Sequence, residues 1–403
     1  MKQKVVVIGH GFTSRLSIIR AVGMIDCEVI VIVMAWKNKL TKRLDKSIPV
    51  DCLSKYVSKV YWCYYSDEDG LLRILLEKCK DSSQKVIIIP DSDFSAAVID
   101  LNQDKLKEYF LFPHIHHYPG AVVDWMNKER QKLLAEEVGL NVPKSCVINV
   151  VNKHFSIPDT IDYPCFTKPL ATVEGGKRCL RRNNNEDELR SLLTQIACKG
   201  DLRVLVEDFK TIDKEFAVLG FSDGTDVVIP AVIKFVKGSR SHPGIAMQGM
   251  VMPIKGFEDI IEKFKEFVRR IGFFGIFDID FYKSKGVQYF GELNLRFGGS
   301  GSAVTQMGVN LPGMFVKAIK GDDISDMNKS VSSSAIYVND RMCLDDWYRG
   351  FITTKEYNHF LNSADITFVR SVNDPQPQSF MKKMFIKTKF KKIIKKCISF
   401  LKR

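Results

Sequence analysis

The sequence predicts an α/β layer at the amino terminus followed by α+β structure, and three observations carry this. Short apolar runs alternate with helix-period segments over residues 4–110, which is the pattern of a parallel sheet. A further apolar run, 163–169, delivers Lys168 near its end and is followed by a glycine-bearing loop and another strand. Finally, an apolar run at 273–282 is joined by a Lys-Ser-Lys-Gly turn to a second run, so that an antiparallel hairpin carries acids on one face.

Within the first layer, residues 5–8 (Val-Val-Val-Ile) form a strand, Gly9-His10-Gly11 a tight turn, 14–24 a helix and 29–33 a second buried strand. Residues 67–80 have helical period, 86–89 form a third strand, and Pro90-Asp91-Ser92-Asp93 ends it with a helix-capping cluster. The Gly-x-Gly turn invites a dinucleotide reading. The third glycine of that fingerprint is replaced by Ser14, however, and no acid ends the second strand to hold a ribose. The turn is therefore read as a substrate-side loop at the strand ends.

A helix is expected over 122–138, closing at Gly139 before Pro143. The strand with Lys168, the loop 172–177 and the next strand suit a phosphate cover. Glycines let amides approach phosphate, and a lysine supplies a point charge. A plain surface hairpin with a solvated lysine fits the same residues equally well. A capped helix follows at 185–196, then a strand ending in Glu207-Asp208-Phe209-Lys210 and a second strand beginning Lys214-Glu215. Backbone groups at such a junction can pair with an adenine edge, and an acid beyond it can take ribose hydroxyls.

The hairpin is the most informative stretch. Asp278 lies on its first strand, and Glu292, Asn294 and Arg296 alternate on its second. Side chains two apart share a face. Two carboxylates and an amide oxygen suit Mg²⁺ or Mn²⁺, and a guanidinium beside them can fork onto phosphate or carboxylate. The run Phe297-Gly-Gly-Ser-Gly that follows exposes backbone N–H groups for an anion. An ordinary hairpin with one polar face shares the alternation, but buried acids need cations.

At 403 residues the chain has room for two or three domains. No run approaches the roughly 18 to 20 apolar residues of a membrane span, and the ten cysteines are scattered without a CxxC pair. Both point to a cytoplasmic protein with reduced thiols. The net charge of +13 is concentrated at one end, since residues 380–403 hold nine Lys and one Arg without an acid and leave +3 for the rest. In that tail Ile386, Phe390, Ile393, Cys397 and Leu401 recur at intervals of three or four. A basic amphipathic helix of this kind reads as a peripheral anchor on anionic lipid at the inner face of the membrane, in preference to a nucleic-acid arm or a disordered tail. His114, His116 and His117 lack an acid or thiol partner nearby in sequence and are read as a polar loop. His242 is a candidate for substrate contact, with a plain turn as the alternative.

Together these pieces resemble the ATP-grasp superfamily, of the carboxylate–amine ligase type, over about residues 1–320. The resemblance is carried by Lys128, by 163–168, by 206–215 and by 275–301. Within the superfamily the chain is similar to the D-aspartate ligase and carbamoyl phosphate synthase large-subunit group. The amino-terminal Val-Ile-Gly-His-Gly-Phe, the segment 54–58, Pro90-Asp-Ser-Asp93 and Gly308-Val-Asn-Leu-Pro312 suggest that group. The fold implied is a Rossmann-like pre-ATP-grasp domain (1–118) followed by an ATP-grasp domain of two α+β subdomains (119–320). A mixed appendage and linker (321–379) and the basic tail (380–403) complete the chain.

The resemblance also implies roles. Lys128 and Lys168 would hold ATP phosphates, Gly175 and Gly176 would lie in the flap, and Glu207, Asp208, Phe209 and Lys210 would form the adenine hinge. Glu215 would take the ribose, Asp278, Glu292 and Asn294 would bind Mg²⁺, and Arg296 would act with Lys168 in catalysis by steadying the acyl phosphate. Two departures stand out: the flap Glu174-Gly-Gly-Lys is poor in glycine, and Asp213-Lys214 stands where a glycine is usual. The implied activity joins a small carboxylate, an amino acid or cell-envelope precursor, to an amine through an acyl phosphate. The alternatives are carbamoyl phosphate synthase-like phosphorylation of a small carboxylate, and a catalytically silent ATP-binding module at the membrane. No nucleic-acid partner is expected, and nothing in the sequence sets the oligomeric state.

Overall fold

The computed structural model describes residues 2–36, 49–171, 179–383 and 385–386. The expected flap at 172–177, with Gly175 and Gly176, and nearly all of the amphipathic tail lie outside the described residues.

The amino-terminal sheet has five parallel strands in the order Val57–Tyr64, Glu28–Ala35, Lys4–Gly9, Val86–Pro90, Phe110–Leu111. Three of them are the apolar runs of the sequence. The other two lie at the edges, and Val57–Tyr64 is half exposed along most of its length, so it lacks a continuous apolar signature. Strand order reverses between Lys4–Gly9 and Val86–Pro90, the point where ligands bind such sheets. That reversal sets the Gly9-His10-Gly11 turn beside Asp91 and Asp93. A Cβ at Gly9 would fall 1.3 Å from Asp91 Oδ1, so the glycine is demanded by the close approach of this carboxylate. Next to it Arg15, buried to 2% exposure, donates to Gly9 O and forks onto Asp51 at 2.5 and 3.1 Å.

A four-stranded antiparallel sheet follows, ordered Ser145–Val150, Leu202–Asp208, Cys165–Pro169, Arg181–Asn183. The helix Glu186–Ala197 covers one face, its Leu189, Leu192, Leu193 and Ile196 packing against Ile148, Val204 and Val206. Its first turn carries Glu186, Asp187 and Glu188, which suits the positive end of the helix dipole, and Asn185 Oδ1 caps Glu188 N at 3.0 Å. The expected helix at 122–138 is broken in two. A turn at Ala121–Asp124 is followed by the helix Lys128–Glu137, because the Asn127 side chain accepts from Glu129 N and Arg130 N and starts a new helix there.

A nine-stranded sheet dominates the rest. Its spine runs Val287–Asn294, Phe273–Ser284, Lys214–Asp223, Val232–Gly238, Ala246–Met252, Ala335–Val338, Ile366–Thr367. The amphipathic helix Glu258–Ile271 lies on one face, where Phe264, Phe267 and Val268 meet Phe277, Ile279, Phe281, Phe290 and Leu293. Residues 321–379 are thus part of this sheet through Ala335–Val338 and Ile366–Thr367. They also grip the amino-terminal layer: Arg20 donates to Phe368 O, Val369 O and the Asp374 carboxylate, each at 2.9 Å. The short strand His114–Ile115 pairs with Phe273–Phe274 and ties the first layer to the hairpin. There the His114 ring stacks between His117, at 3.5 Å, and Phe274, at 5.3 Å.

Candidate active site

The free face of the hairpin looks across to the small sheet, and the cleft between them has two connected halves. One, of about 420 Å³, is lined by Lys168, Glu215, Phe235, Asp280, Tyr282 and Glu292. The other, of about 510 Å³, adds Lys128, Asp278, Asn294 and Arg296, and reaches the amino-terminal turn at Gly11–Ser14. Lys168, Asp280 and Glu292 belong to both halves.

Register decides which acids face each other. Asp278 pairs with Asn294 and Asp280 with Glu292, and then the register slips so that Phe281 pairs with Phe290 and Gly291 is left over. This is a β-bulge. A Cβ at Gly291 would stand 2.8 Å from Asp280 O, so only glycine fits the bulged position. Beyond it, directly opposed residues share a face. Asp278, Asp280, Glu292 and Asn294 therefore form one polar field, with the aromatic face behind them.

Asp280 was not among the metal ligands expected from sequence, although it lies two residues from Asp278 on the same face. The structure sets Asp280, not Asp278, directly opposite Glu292 and at the junction of the two halves. Asp278 lies deeper, at 9% exposure, beneath Gly298, where a Cβ would come within 2.1 Å of its Oδ2. Its Oδ1 has no hydrogen-bond partner among the described residues. Burial pushes the Asp278 carboxyl up to about 7, with Arg296 opposing and Glu292 and Asp93 adding to the rise. Asp280 is driven well above the usual carboxylate range by burial and then by Asp278 and Glu292. Glu292 is half-buried, and against its desolvation Lys128 and Lys168 hold it below the usual carboxylate range. Lys128 Nζ lies 3.2 Å from Glu292 Oε2.

The fit of these groups to a divalent cation rests on that crowding of like charge. Two opposed carboxylates and an amide oxygen are hard donors that a cation would relieve. Among the described residues no three His, Cys, Asp or Glu side chains gather closely enough to hold an ion alone. Asp280, Glu292 and Asn294 would thus share it with other oxygens, as a cation bound through substrate phosphates does.

Beside Lys128, three more cations stand around this field. Lys168 Nζ lies 2.9 Å from Glu207 Oε2, and Lys132 Nζ lies 2.5 Å from Glu207 Oε1. Glu207 therefore orients two lysines from beneath. Burial would raise its carboxyl, but Lys168 and Lys132 hold it below the usual range. Burial draws Lys132 itself down against the pull of Glu207, and the Lys168 charge adds to the fall. Arg296 Nε donates to Asp93 Oδ1 at 2.6 Å and its Nη2 to Asn294 Oδ1 at 3.3 Å, so a carboxylate from the amino-terminal layer sets the guanidinium.

Lys132 and Asp93 were both missed from sequence. Lys132 was legible as the residue one helical turn beyond Lys128. From sequence Asp93 reads as a helix-starting residue and as part of the resemblance, while the capping itself is done by Ser92 and Ser95.

The remaining expected residues are more dispersed. Glu215 pairs with Tyr282 and lines the first half of the cleft. In the hinge segment, Asp208 N donates to Lys144 O and Phe209 N to Pro164 O, Lys210 Nζ approaches Asp208 Oδ2 at 3.5 Å, and Arg182 covers the Phe209 ring at 4.4 Å. His242 Nε2 lies 3.0 Å from Asp345 Oδ2. Its loop is held by Asp346, which accepts from Ser239 Oγ, Arg240 N and Ser241 N at 2.8 to 2.9 Å.

No family model matches the chain. It is 26% identical over 214 residues to the carbamoyl phosphate synthase large chain of Gemmatimonas aurantiaca, covering 52% of this chain and 19% of that one. It is 26% identical over 260 residues to the D-aspartate ligase of Enterococcus faecium, covering 60% of this chain and 61% of that one. The chain thus spans about a fifth of the first relative's length and about three-fifths of the second's. Among solved structures, the L-amino acid ligase from Bacillus licheniformis superposes with a TM-score of 0.60 at 15% identity, over 83% of this chain and 79% of that one. The N5-carboxyaminoimidazole synthetase from Staphylococcus aureus superposes with a TM-score of 0.61 at 16% identity, over 87% and 86%.

Proposed function

We propose that this chain, which has the ATP-grasp fold and sequence relatives among carbamoyl phosphate synthase large chains and a D-aspartate ligase, is an ATP- and Mg²⁺-dependent carboxylate–amine ligase. The observation that carries the reading is the facing of Asp280 and Glu292 across the hairpin, with Lys128, Lys168 and Arg296 around them. ATP enters the half of the cleft lined by Glu215, Phe235 and Tyr282. The backbone of the Glu207–Lys210 segment reads its adenine edge and Glu215 its ribose.

Lys128 and Lys168 receive the phosphate oxygens and exchange part of their contact with Glu292 and Glu207 for them. A Mg²⁺ ion held by Asp280, Glu292 and Asn294 would neutralise phosphate charge as it spreads in the transition state. The substrate carboxylate oxygen then attacks the γ-phosphorus, and the bond to the ADP oxygen breaks. Arg296, preset by Asp93, faces the acyl phosphate. The amine nitrogen next attacks the acyl carbon, phosphate leaves with its oxygen, and an amide remains. Water would hydrolyse the intermediate, so the loop 172–177 is assigned the task of covering it.

ADP release screened over pairs of carboxylates and amines tests the reading. Release that needs both partners is expected. Release with a carboxylate alone would favour simple phosphorylation of that acid, and ATP binding without release for any pair would favour a silent module.

The basic tail supports a second assignment, to an anionic membrane surface. No helix among the described residues is long and apolar enough to cross a membrane. Residues 376–383 are helical, and Met381 packs with Leu16, Leu344 and Val369 while Phe385 meets Tyr348 at 5.2 Å. The start of the tail is thereby fixed to the body, and ten cations follow Ser379 without an acid.

A further inference from the structure

One wall of the cleft is a loop that the carboxyl-terminal segment grips. Gly244, Ile245 and Ala246 line both halves of the cleft, and so do Lys168, Asp280 and Glu292. The two sets therefore stand together at the junction of the halves. In the ligase reading the γ-phosphoryl group passes this junction, from the nucleotide in one half to the acid beside Arg296 in the other.

Gly244 and Ile245 end the loop that joins the strands Val232–Gly238 and Ala246–Met252. The loop closes on itself: Ser239 N donates to Ile245 O at 2.8 Å, Ile245 N to His242 O at 3.1 Å and His242 N to Ser239 Oγ at 3.2 Å. Below it the ladder slips register between Phe235 and Lys237 and again between Lys237 and Gly238, so strand pairing alone does not fix where the loop stands. The helix Asp340–Tyr348 does so from outside. Its Asp346, 1% exposed, accepts from Ser239 Oγ, Ser241 N and Ser241 Oγ at Oδ1 and from Arg240 N at Oδ2. Against its desolvation, these donors hold the carboxyl below the usual range. Hydrogen bonds to an ionised acceptor are the strong ones. The neighbouring Asp345 meets His242 Nε2 at 3.0 Å and Arg341 Nη2 at 3.2 Å, and the Arg240 guanidinium lies 5.2 Å from the Phe351 ring centre.

Asp340, at the start of the same helix, makes a contrast. It is equally buried, at 4% exposure, but its carboxylate accepts from Val369 N at 2.7 Å and Arg370 N at 2.9 Å, which ties the helix to the chain after the last strand.

We propose that Asp346 is a positioning residue of the active site, which sets the wall at Gly244–Ala246 through Ser239, Arg240 and Ser241. The assignment rests on the ligase reading and gives residues 321–379 a part in catalysis beyond completing the sheet. Displacing a wall of the reacting centre by about 1 Å costs on the order of 10²-fold in rate.

The test uses the full chain with Mg²⁺, ATP and the acid–amine pair that releases ADP. Asp346→Asn keeps the side chain's shape but turns one acceptor into a donor facing N–H groups. The double variant Ser239→Ala, Ser241→Ala weakens the grip from the loop side and leaves the helix untouched. Asp346→Asn is expected to lower kcat by about 10-fold or more, and the double variant to lower it less, with the affinity for MgADP by calorimetry close to that of the parent chain. Trypsin should cut after the exposed Arg240 several-fold faster in both variants, read by mass spectrometry. Asp340→Asn should lower the urea midpoint without changing kcat or the cleavage after Arg240. Faster cleavage with unchanged kcat in both loop variants would overturn the assignment and leave the ligase reading standing, as would an equal loss of kcat in Asp340→Asn. A parent chain that binds ATP and releases no ADP with any pair would remove the ligase reading, and this assignment with it.

Discussion

Asp280 faces Glu292 across the hairpin because Gly291 is bulged out of the ladder, with no room for a Cβ beside Asp280 O. The bulge makes the candidate metal corner a property of register. If Asp280 and Glu292 hold the cation, Asp280→Asn and Glu292→Gln should each cut Mg²⁺-dependent ADP release by about 10²–10³-fold, the usual cost of one transition-state charge stabiliser. Asp278→Asn should cost far less, since that carboxyl lies deeper and stands opposite Asn294, not Glu292. Steady-state rates across a Mg²⁺ titration, with circular dichroism to confirm folding, separate the three. Equal losses at 278 and 280 would return Asp278 to the ligand set.

What the sequence shows of this corner is its alternation. Asp278, Glu292, Asn294 and Arg296 were recognisable because strand period places such residues on one face, and Asp280 shares that face by the same rule. Choosing between the two aspartates needs the cross-strand register, and one bulged glycine changes that register without altering the hydrophobic pattern. The Arg296–Asp93 bond was illegible for another reason: its partners are 203 residues apart in different layers. Lysines behind Glu207 were half legible. Lys168 was named, but its carboxylate was read as part of an adenine hinge, and only packing shows it gripping Lys132 and Lys168 from below.

Gly291→Ala tests the bulge directly. The added methyl must displace Asp280 O or straighten the ladder, and overpacking of this kind costs about 1–3 kcal/mol. A fall in urea midpoint together with a raised Mg²⁺ requirement is expected. Loss of stability with unchanged Mg²⁺ dependence would detach the bulge from the metal corner.

The buried pair of lysines on Glu207 should respond asymmetrically. Glu207→Gln leaves two ammonium groups with their carboxylate removed, and breaking a buried pair typically costs about 3–5 kcal/mol. Lys132→Met removes the partner that burial already draws toward its neutral form and leaves Glu207 paired with Lys168, so its cost should be clearly smaller. Urea unfolding of the two variants measures the difference. Equal destabilisation would mean that Lys168 does not hold Glu207 by itself.

His114 should make the junction between the first layer and the hairpin acid-sensitive. Burial, followed by the His117 and His116 charges, lowers its pKa from 6.5 to about 4. The unfolded chain then binds a proton that the folded chain refuses between those values, so stability rises with pH across this window. The contribution is complete above about 6.5 and is lost as pH falls toward 4. His114→Phe keeps a ring against Phe274 and removes the proton site, so its melting temperature should fall less between pH 7 and pH 5 than that of the parent chain. Parallel curves would assign the acid sensitivity elsewhere.

The tail can be cut just beyond its described, docked start. A chain stopping after Ile386 retains Met381 and Phe385, which pack on the body, and loses seven lysines and Arg403. Each Lys or Arg near an anionic surface contributes about 1 kcal/mol before screening. The parent chain should therefore co-sediment with phosphatidylserine vesicles at low salt, bind less as salt rises, and ignore phosphatidylcholine vesicles. The shortened chain should remain in the supernatant while its ATP-dependent turnover of a water-soluble acid and amine is unchanged. Vesicle binding that survives this truncation would place the membrane contact on the folded body, and absence of binding by the parent chain would remove the assignment.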